Sequence, residues 1–351
     1  MERVSEADKR RVAVIGAGAW GTTIAWLLGG QGTEVALWAR DPAVASEIDN
    51  RRENKRYAAG AILPDCVRVT GDGVQALTGA SIVFFAVPSK WLGEVVLALK
   101  PHVAPGTIVV SGTKGLERAT GRRMSEVIGD ELGSAARIVV LSGPNLSREI
   151  ISGHPAVSVA ASPDCAAAEA VQQILSSGLF RVYTNCDILG VEVCGALKNI
   201  IALGAGVSDG LGYGDNAKAA LVTRGLAEMG RIGTALGATA ETFWGIAGVG
   251  DLVATCNSHF SRNWTVGWRL GRGETIERIL QDLAGVAEGI QAAEAARDLA
   301  AKLGVEAPIT DAVCRVLFEG QSPAEAVASL MGRVWRSEVE AWHWEAAGRC
   351  R

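Results

Sequence analysis

The segment at positions 11–28, RVAVIGAGAWGTTIAWLL, constrains the fold more than any other part of the chain. A short β-branched run leads directly into Gly16, Gly18 and Gly21, spaced as GxGxxG, and then into an apolar stretch of helical length. Gly16 permits a tight turn, Gly18 lets the backbone approach a pyrophosphate, and Gly21 lets a helix pack closely on the strand. The helix N-terminus that follows attracts phosphate. This strand–turn–helix context points to a dinucleotide site, although a turn of small residues that only serves packing would carry the same spacing.

The rest of the first half extends this pattern. The runs EVALW (34–38), SIVFFAV (81–87), TIVVSG (107–112) and RIVVLSG (137–143) are continuously apolar, as parallel strands are when helices cover both faces of their sheet. AVSVAA (156–161) and FRVYT (180–184) are further strands that extend the same sheet. Beyond about residue 190 the strand signal stops, and the segments at 215–237, 290–304 and 322–333 have helical periodicity. The expected architecture is a Rossmann-like, doubly wound α/β domain over residues 1–190, then an all-α domain over 191–333. A tail, 334–351, carries three tryptophans among charges and has no assignable role.

Composition narrows the function. A net charge of −4 over 351 residues argues against nucleic acid or an anionic membrane as partner. The seven cysteines contain no CxxC pair and the four histidines have no ligand-pair spacing, so neither a disulfide framework nor a metal site is expected. That cysteine usage suits a reducing, cytoplasmic setting. The polar start MERVSEADKRR lacks the apolar core of a signal peptide. The longest apolar stretch, 189–207, is interrupted by Glu192, Lys198 and Asn199, so no integral membrane segment is expected.

The polar residues that break apolar surroundings are the site candidates. Lys198 sits in GALKNIIALGAG, where α/β gives way to helical sequence. A buried lysine loses affinity for its proton and becomes an acid suited to carbonyl reduction, whereas a half-buried one snorkels to solvent. Asp251, expected in the glycine-flanked turn of GVGDLVATC, is a candidate charge partner for it. Lys114 in TKGLE, and Gly143, Asn145 and Ser147 in SGPNLSREI, follow strand ends, where open parallel sheets bind ligands. Arg40 precedes Asp41 at the end of the second strand, a mixed signal that leans to NADP over NAD. Ser261, Arg262 and Asn263 suit a substrate phosphate, though alone they are only a surface loop with an arginine.

Together, GAGAWGT, LWARDP, TKGLE, SGPN, GALKNIIALGAGVSDGLGYGDNAKAALVTRGLAEM, GVGDLVATC, SRN, AEG and APITDAV resemble the bacterial NAD(P)-dependent glycerol-3-phosphate dehydrogenases over residues 11–333. The resemblance implies reduction of dihydroxyacetone phosphate to sn-glycerol 3-phosphate for phospholipid synthesis, by a cytoplasmic homodimer. It implies that Lys198 carries the proton. Lys114, Gly143, Asn145, Lys198, Asp251, Ser261, Arg262 and Asn263 would line the substrate site. Gly16, Gly18, Ala19, Trp20, Gly21, Arg40, Lys114, Ser147, Arg262, Val286 and Glu288 would contact NADP or NAD. Asn145 stands where the family usually has serine or threonine, and Ser147 where it has alanine. The alternatives are a β-hydroxyacid dehydrogenase or ketopantoate reductase relative, and a non-enzymatic NAD(P) sensor.

Overall fold

The computed structural model describes residues 10–117, 120–133, 136–282, 287–335 and 337–338. Its residues cluster into two compact units. One runs through Thr113 and resumes over Met124–Ile188; the other comprises Lys114–Arg123 and the chain from Leu189 onward. The helical unit therefore takes in a ten-residue excursion, Lys114–Arg123, that a single cut near residue 190 does not contain.

The first unit is an eight-stranded sheet: β1 (Val12–Ile15), β2 (Val35–Trp38), β3 (Val67–Thr70), β4 (Ile82–Phe85), β5 (Ile108–Ser111), β6 (Arg137–Ser142), β7 (Ala156–Ala161) and β8 (Phe180–Asn185). Their spatial order is β3-β2-β1-β4-β5-β6-β7-β8. All neighbours are parallel except β6 and β7, which pair antiparallel through Leu141 and Ala160. Alternate residues feed two cores. Val12, Val14, Leu37, Phe84 and Val110 pack with Ile24 and Leu28 of the helix Ala19–Gly30 on one face. Ala13, Ile15, Phe85 and Val109 pack with Leu92, Val96 and Ile128 on the other. Burial on both faces is why these strands read as unbroken apolar runs. The edge strand β3 does not read that way: in VRVT, Arg68 is exposed.

The second unit is helical among its described residues, around a core that includes Leu197, Ile201, Met229, Phe243, Leu252 and Trp264. Its centre is the helix Ile188–Gly210, long and apolar enough to cross a membrane, yet with 83% of its most apolar window buried inside the protein. Small residues on this helix and on the helix Arg262–Gly271 allow their backbones to touch. A Cβ at Gly206 would lie 2.1 Å from the Trp264 carbonyl oxygen, and one at Gly267 would lie 2.0 Å from that of Leu203. Of the C-terminal tail only residues 334, 335, 337 and 338 are described, with Val334 and Trp335 exposed.

Candidate active site

In the first unit the candidate residues follow the C-terminal ends of parallel strands. Gly16 turns the chain out of β1 with φ +115°, and a Cβ there would meet the Ala86 carbonyl oxygen at 2.7 Å. Gly21 is pressed against the same turn, since its Cβ would lie 1.9 Å from the Gly16 oxygen. Asn54 braces the loop by donating from Nδ2 to the Ala17 carbonyl and to Thr22 Oγ1, both at 2.9 Å.

The helix Ala19–Gly30 that follows has no side-chain cap and no acidic residue in its first turn. Its leading N–H groups are thus not spent on a carboxylate, and a Cβ at Gly18 would meet no protein atom within 4 Å. Trp20 Nε1 is a buried donor without a partner. This half-buried, uncapped N-terminus fits the pyrophosphate of a dinucleotide. The next helix, Pro42–Arg51, differs: Asp41 caps it by accepting from Ala43 N at 2.9 Å. With Asp41 engaged in that way, the exposed Arg40 is the charged group left at the end of β2.

Gly143, Asn145 and Ser147 occupy the short passage from β6 into the helix Ser147–Ile151. Asn145 Nδ2 donates to Ser158 Oγ at 3.1 Å, and that hydroxyl donates to the Ser142 carbonyl at 3.0 Å. The Asn145 amide is thereby oriented, leaving its Oδ1 buried without a partner.

The charged residues of the second unit converge. Lys198, only 5% exposed, donates from Nζ to Asp251 Oδ1 and, at 2.8 Å, to Thr255 Oγ1. Lys114 Nζ holds the other carboxylate oxygen of Asp251 at 2.8 Å. Lys114 is brought there by Leu116, which packs with Ala196 of the Lys198 helix and with Ala295. Arg123 anchors the far end of that excursion on buried Glu192 at 2.8 Å. Asp251 does not lie in a turn, as its flanking glycines suggest. It opens the helix Asp251–Asn257 immediately after a π-helical turn, Ile246–Gly250. Such wide turns often redirect functional side chains.

Burial brings the Lys198 ammonium down to about 8, with the charge of Lys114 adding to the fall and Asp251 opposing it. The Asp251 carboxyl lies below its ordinary value although burial works against this, because Lys114 and Lys198 stabilise the charged form. One carboxylate between two lysines thus keeps a deeply buried lysine titrating near neutrality. Nearby Cys256 is pushed up to about 12 by its own burial and stays a thiol.

A second network holds the Arg262 segment. Ser261 caps the helix Arg262–Gly271, its Oγ accepting from Trp264 N at 3.3 Å. Asn263 Nδ2 donates to Asn199 Oδ1 at 2.9 Å, and its Oδ1 accepts from Gly289 N at 3.0 Å. Both ends of the Asn263 amide are therefore used within the protein. They tie the Lys198 helix to the Arg262 segment and to Glu288, which opens the helix Glu288–Leu303. Burial raises the Glu288 carboxyl, and the charges of Arg262, Lys114 and Lys198 pull it back. Arg262 itself is exposed. Thr255 is not singled out in the sequence, and Asn199 stands there only as a break in the apolar stretch, without a site role. The Asp251-to-Thr255 spacing of four, one helical turn, is the signal that would have found the threonine. Val286 lies outside the described residues.

Comparison with known proteins identifies the family. The N-terminal model of the NAD-dependent glycerol-3-phosphate dehydrogenases matches residues 11–168, and the C-terminal model matches 187–328. A glycerol-3-phosphate dehydrogenase [NAD(P)+] from Geobacillus kaustophilus is 47% identical over 94% of this chain and 96% of the relative. One from Parafrankia sp. is 50% identical over 92% and 97%. The crystal structure of glycerol-3-phosphate dehydrogenase from Coxiella burnetii has a TM-score of 0.89 at 38% identity, covering 93% of this chain and 99% of that one. A ketopantoate reductase from Ralstonia eutropha, at 17% identity and TM-score 0.59, shares the fold alone. With both halves matched and nearly half the residues identical along almost its full length, the chain belongs to the NAD-dependent glycerol-3-phosphate dehydrogenase family.

Proposed function

We propose that the chain catalyses the reversible reduction of dihydroxyacetone phosphate to sn-glycerol 3-phosphate, with Lys198 as the group that moves the proton. The arrangement of buried Lys198 and Asp251 with half-buried Lys114 is the observation that carries this assignment. NADPH or NADH, when bound, supplies the hydride that adds to the substrate carbonyl carbon. Gly16, Gly18, Gly21 and the first residues of the helix Ala19–Gly30 would hold its pyrophosphate, with Ala19, Trp20, Arg40, Ser147, Arg262 and Glu288 as further contacts.

Lys198 Nζ donates a proton to the carbonyl oxygen as negative charge develops there, and takes it back in the reverse direction. With its acidity near 8, the lysine is populated in both protonation states close to neutral pH. Asp251 and Thr255 fix the position of Nζ, so the donor is aimed before substrate arrives. The Lys114 charge supports the same developing oxyanion. Arg262, at the first turn of its helix, holds the substrate phosphate, and the engaged amide of Asn263 keeps that arginine in register. Asn145, with its buried and unpartnered Oδ1, accepts from a substrate hydroxyl.

The product is a precursor of glycerophospholipids. Family membership supports a cytoplasmic homodimer, and light scattering of the purified chain would test the dimer. The activity itself is tested by following NADPH or NADH absorbance with dihydroxyacetone phosphate. Steady consumption is expected, with 2-oxo acids such as ketopantoate inactive. A protein that binds the cofactor and consumes none would be a sensor.

A further inference from the structure

Two cysteines that play no part in the site above come together at the far edge of the sheet. Cys165 is the first residue of the helix Cys165–Leu175, and Cys186 directly follows β8. The strands β7 and β8 pair in parallel up to Ala161 and Asn185, so the residues just beyond them are neighbours in space. The two sulfurs lie 3.6 Å apart, and both side chains are exposed.

Each cysteine is held by its own hydrogen-bonded turn. Before Cys165, Asp164 caps the helix through Ala167 N at 3.1 Å and is gripped by Arg137 Nε at 2.7 Å. Ser162 Oγ accepts from Asp164 N at 3.1 Å. Around Cys186, the Asn185 side chain accepts from Asp187 N at 2.8 Å, and the Cys186 carbonyl accepts from Ile188 N at 3.2 Å. The pairing is therefore set by the backbone on both sides. The sulfurs are already in contact, and a disulfide brings them to a bonded length of about 2.05 Å.

We propose that Cys165 and Cys186 form a reversible disulfide when the enzyme meets a hydroperoxide, clasping the β7–helix–β8 crossover. One thiolate attacks the peroxide oxygen, giving a sulfenic acid and releasing water or alcohol. The second sulfur then displaces the sulfenic hydroxyl as water, forming the S–S bond. Two thiols are oxidised by two electrons, one peroxide is reduced, and a dithiol reductant reverses the change. The adjacent Cys186 sulfur is the main reason the Cys165 thiol sits above its ordinary pKa, which keeps the thiolate scarce at neutral pH; because the thiolate is the attacking form, oxidation accelerates as pH rises. The closed loop confines the unfolded chain, so the oxidised form resists unfolding.

The test uses the full chain, reduced and then treated with hydrogen peroxide in modest excess. Thiol titration in denaturant is expected to fall from seven to five, and peptide mass mapping to recover Cys165 linked to Cys186 within one chain. The Tm should rise and return to its starting value with dithiothreitol. Cys186→Ser should abolish the cross-linked peptide and the Tm shift while leaving dihydroxyacetone phosphate turnover unchanged. Retention of all seven thiols, loss of thiols at other cysteines, or a disulfide only between two chains would overturn the proposal.

Discussion

Asp251 receives Lys198 on one carboxylate oxygen and Lys114 on the other, although the three residues come from widely separated parts of the chain. The carboxylate raises the proton affinity of a lysine that burial otherwise depresses. Without Asp251, Lys198 must titrate lower still. On the proposed role of Lys198 reduction draws on the protonated lysine, so turnover should fall as pH rises through about 8 in the native enzyme. In Asp251→Asn that fall should begin at a more acidic pH, with lower turnover at every pH. Rate profiles of dihydroxyacetone phosphate reduction with saturating NADPH would show it. An unmoved profile would mean that Asp251 does not set the lysine's acidity.

Arg262→Ala should lower kcat/KM for dihydroxyacetone phosphate by at least about tenfold, since hydrogen bonds to charged groups are worth roughly 1.5–3 kcal/mol each. The poor activity on dihydroxyacetone, which lacks the phosphate, should scarcely change. Both must be measured at saturating cofactor. Equal losses on the two substrates would assign the arginine to the cofactor or to the fold.

Arg40→Ala should weaken NADPH binding more than NADH binding, because Asp41 is engaged as a helix cap and Arg40 is the remaining group to meet a 2′-phosphate. Titration of each cofactor by fluorescence would decide it. Equal weakening would show that the arginine does not read the phosphate.

Gly206→Ala should destabilise the helical unit, because the new methyl would meet the Trp264 carbonyl oxygen at 2.1 Å and backbone yields poorly. Overpacking of this kind costs about 1–3 kcal/mol. The urea midpoint should fall, and KM for dihydroxyacetone phosphate should rise as the Arg262 helix is displaced. Gly30→Ala, where a Cβ meets nothing within 4 Å, is the control: it should not lower the urea midpoint and should leave KM unchanged.

The parallel strands were legible because burial on both faces leaves a continuous apolar run, as in SIVFFAV. The edge strand β3 was not, because VRVT alternates and is short. Lys198 stood out as a charge in apolar sequence, and its helical surroundings of small residues are explained by the backbone contacts at Gly206 and Gly267. Partnerships over long separations were less visible. Asp251 was identifiable as a carboxylate, but its π-helical approach and its second lysine, Lys114, depend on tertiary packing around Leu116. The two amides Asn199 and Asn263 look alike as letters; only their shared hydrogen bond shows that one positions the other.

Lys198→Met tests the central claim most directly. The substitution keeps an unbranched side chain of similar bulk and removes the ammonium group, with its proton, its charge and its bonds to Asp251 and Thr255. General acid–base groups contribute roughly 10²- to 10⁴-fold. Turnover of dihydroxyacetone phosphate should therefore fall by at least about a hundredfold, while NADPH binds as tightly as before and the chain stays folded. Turnover within about tenfold of the parent would contradict the assignment of the proton to Lys198.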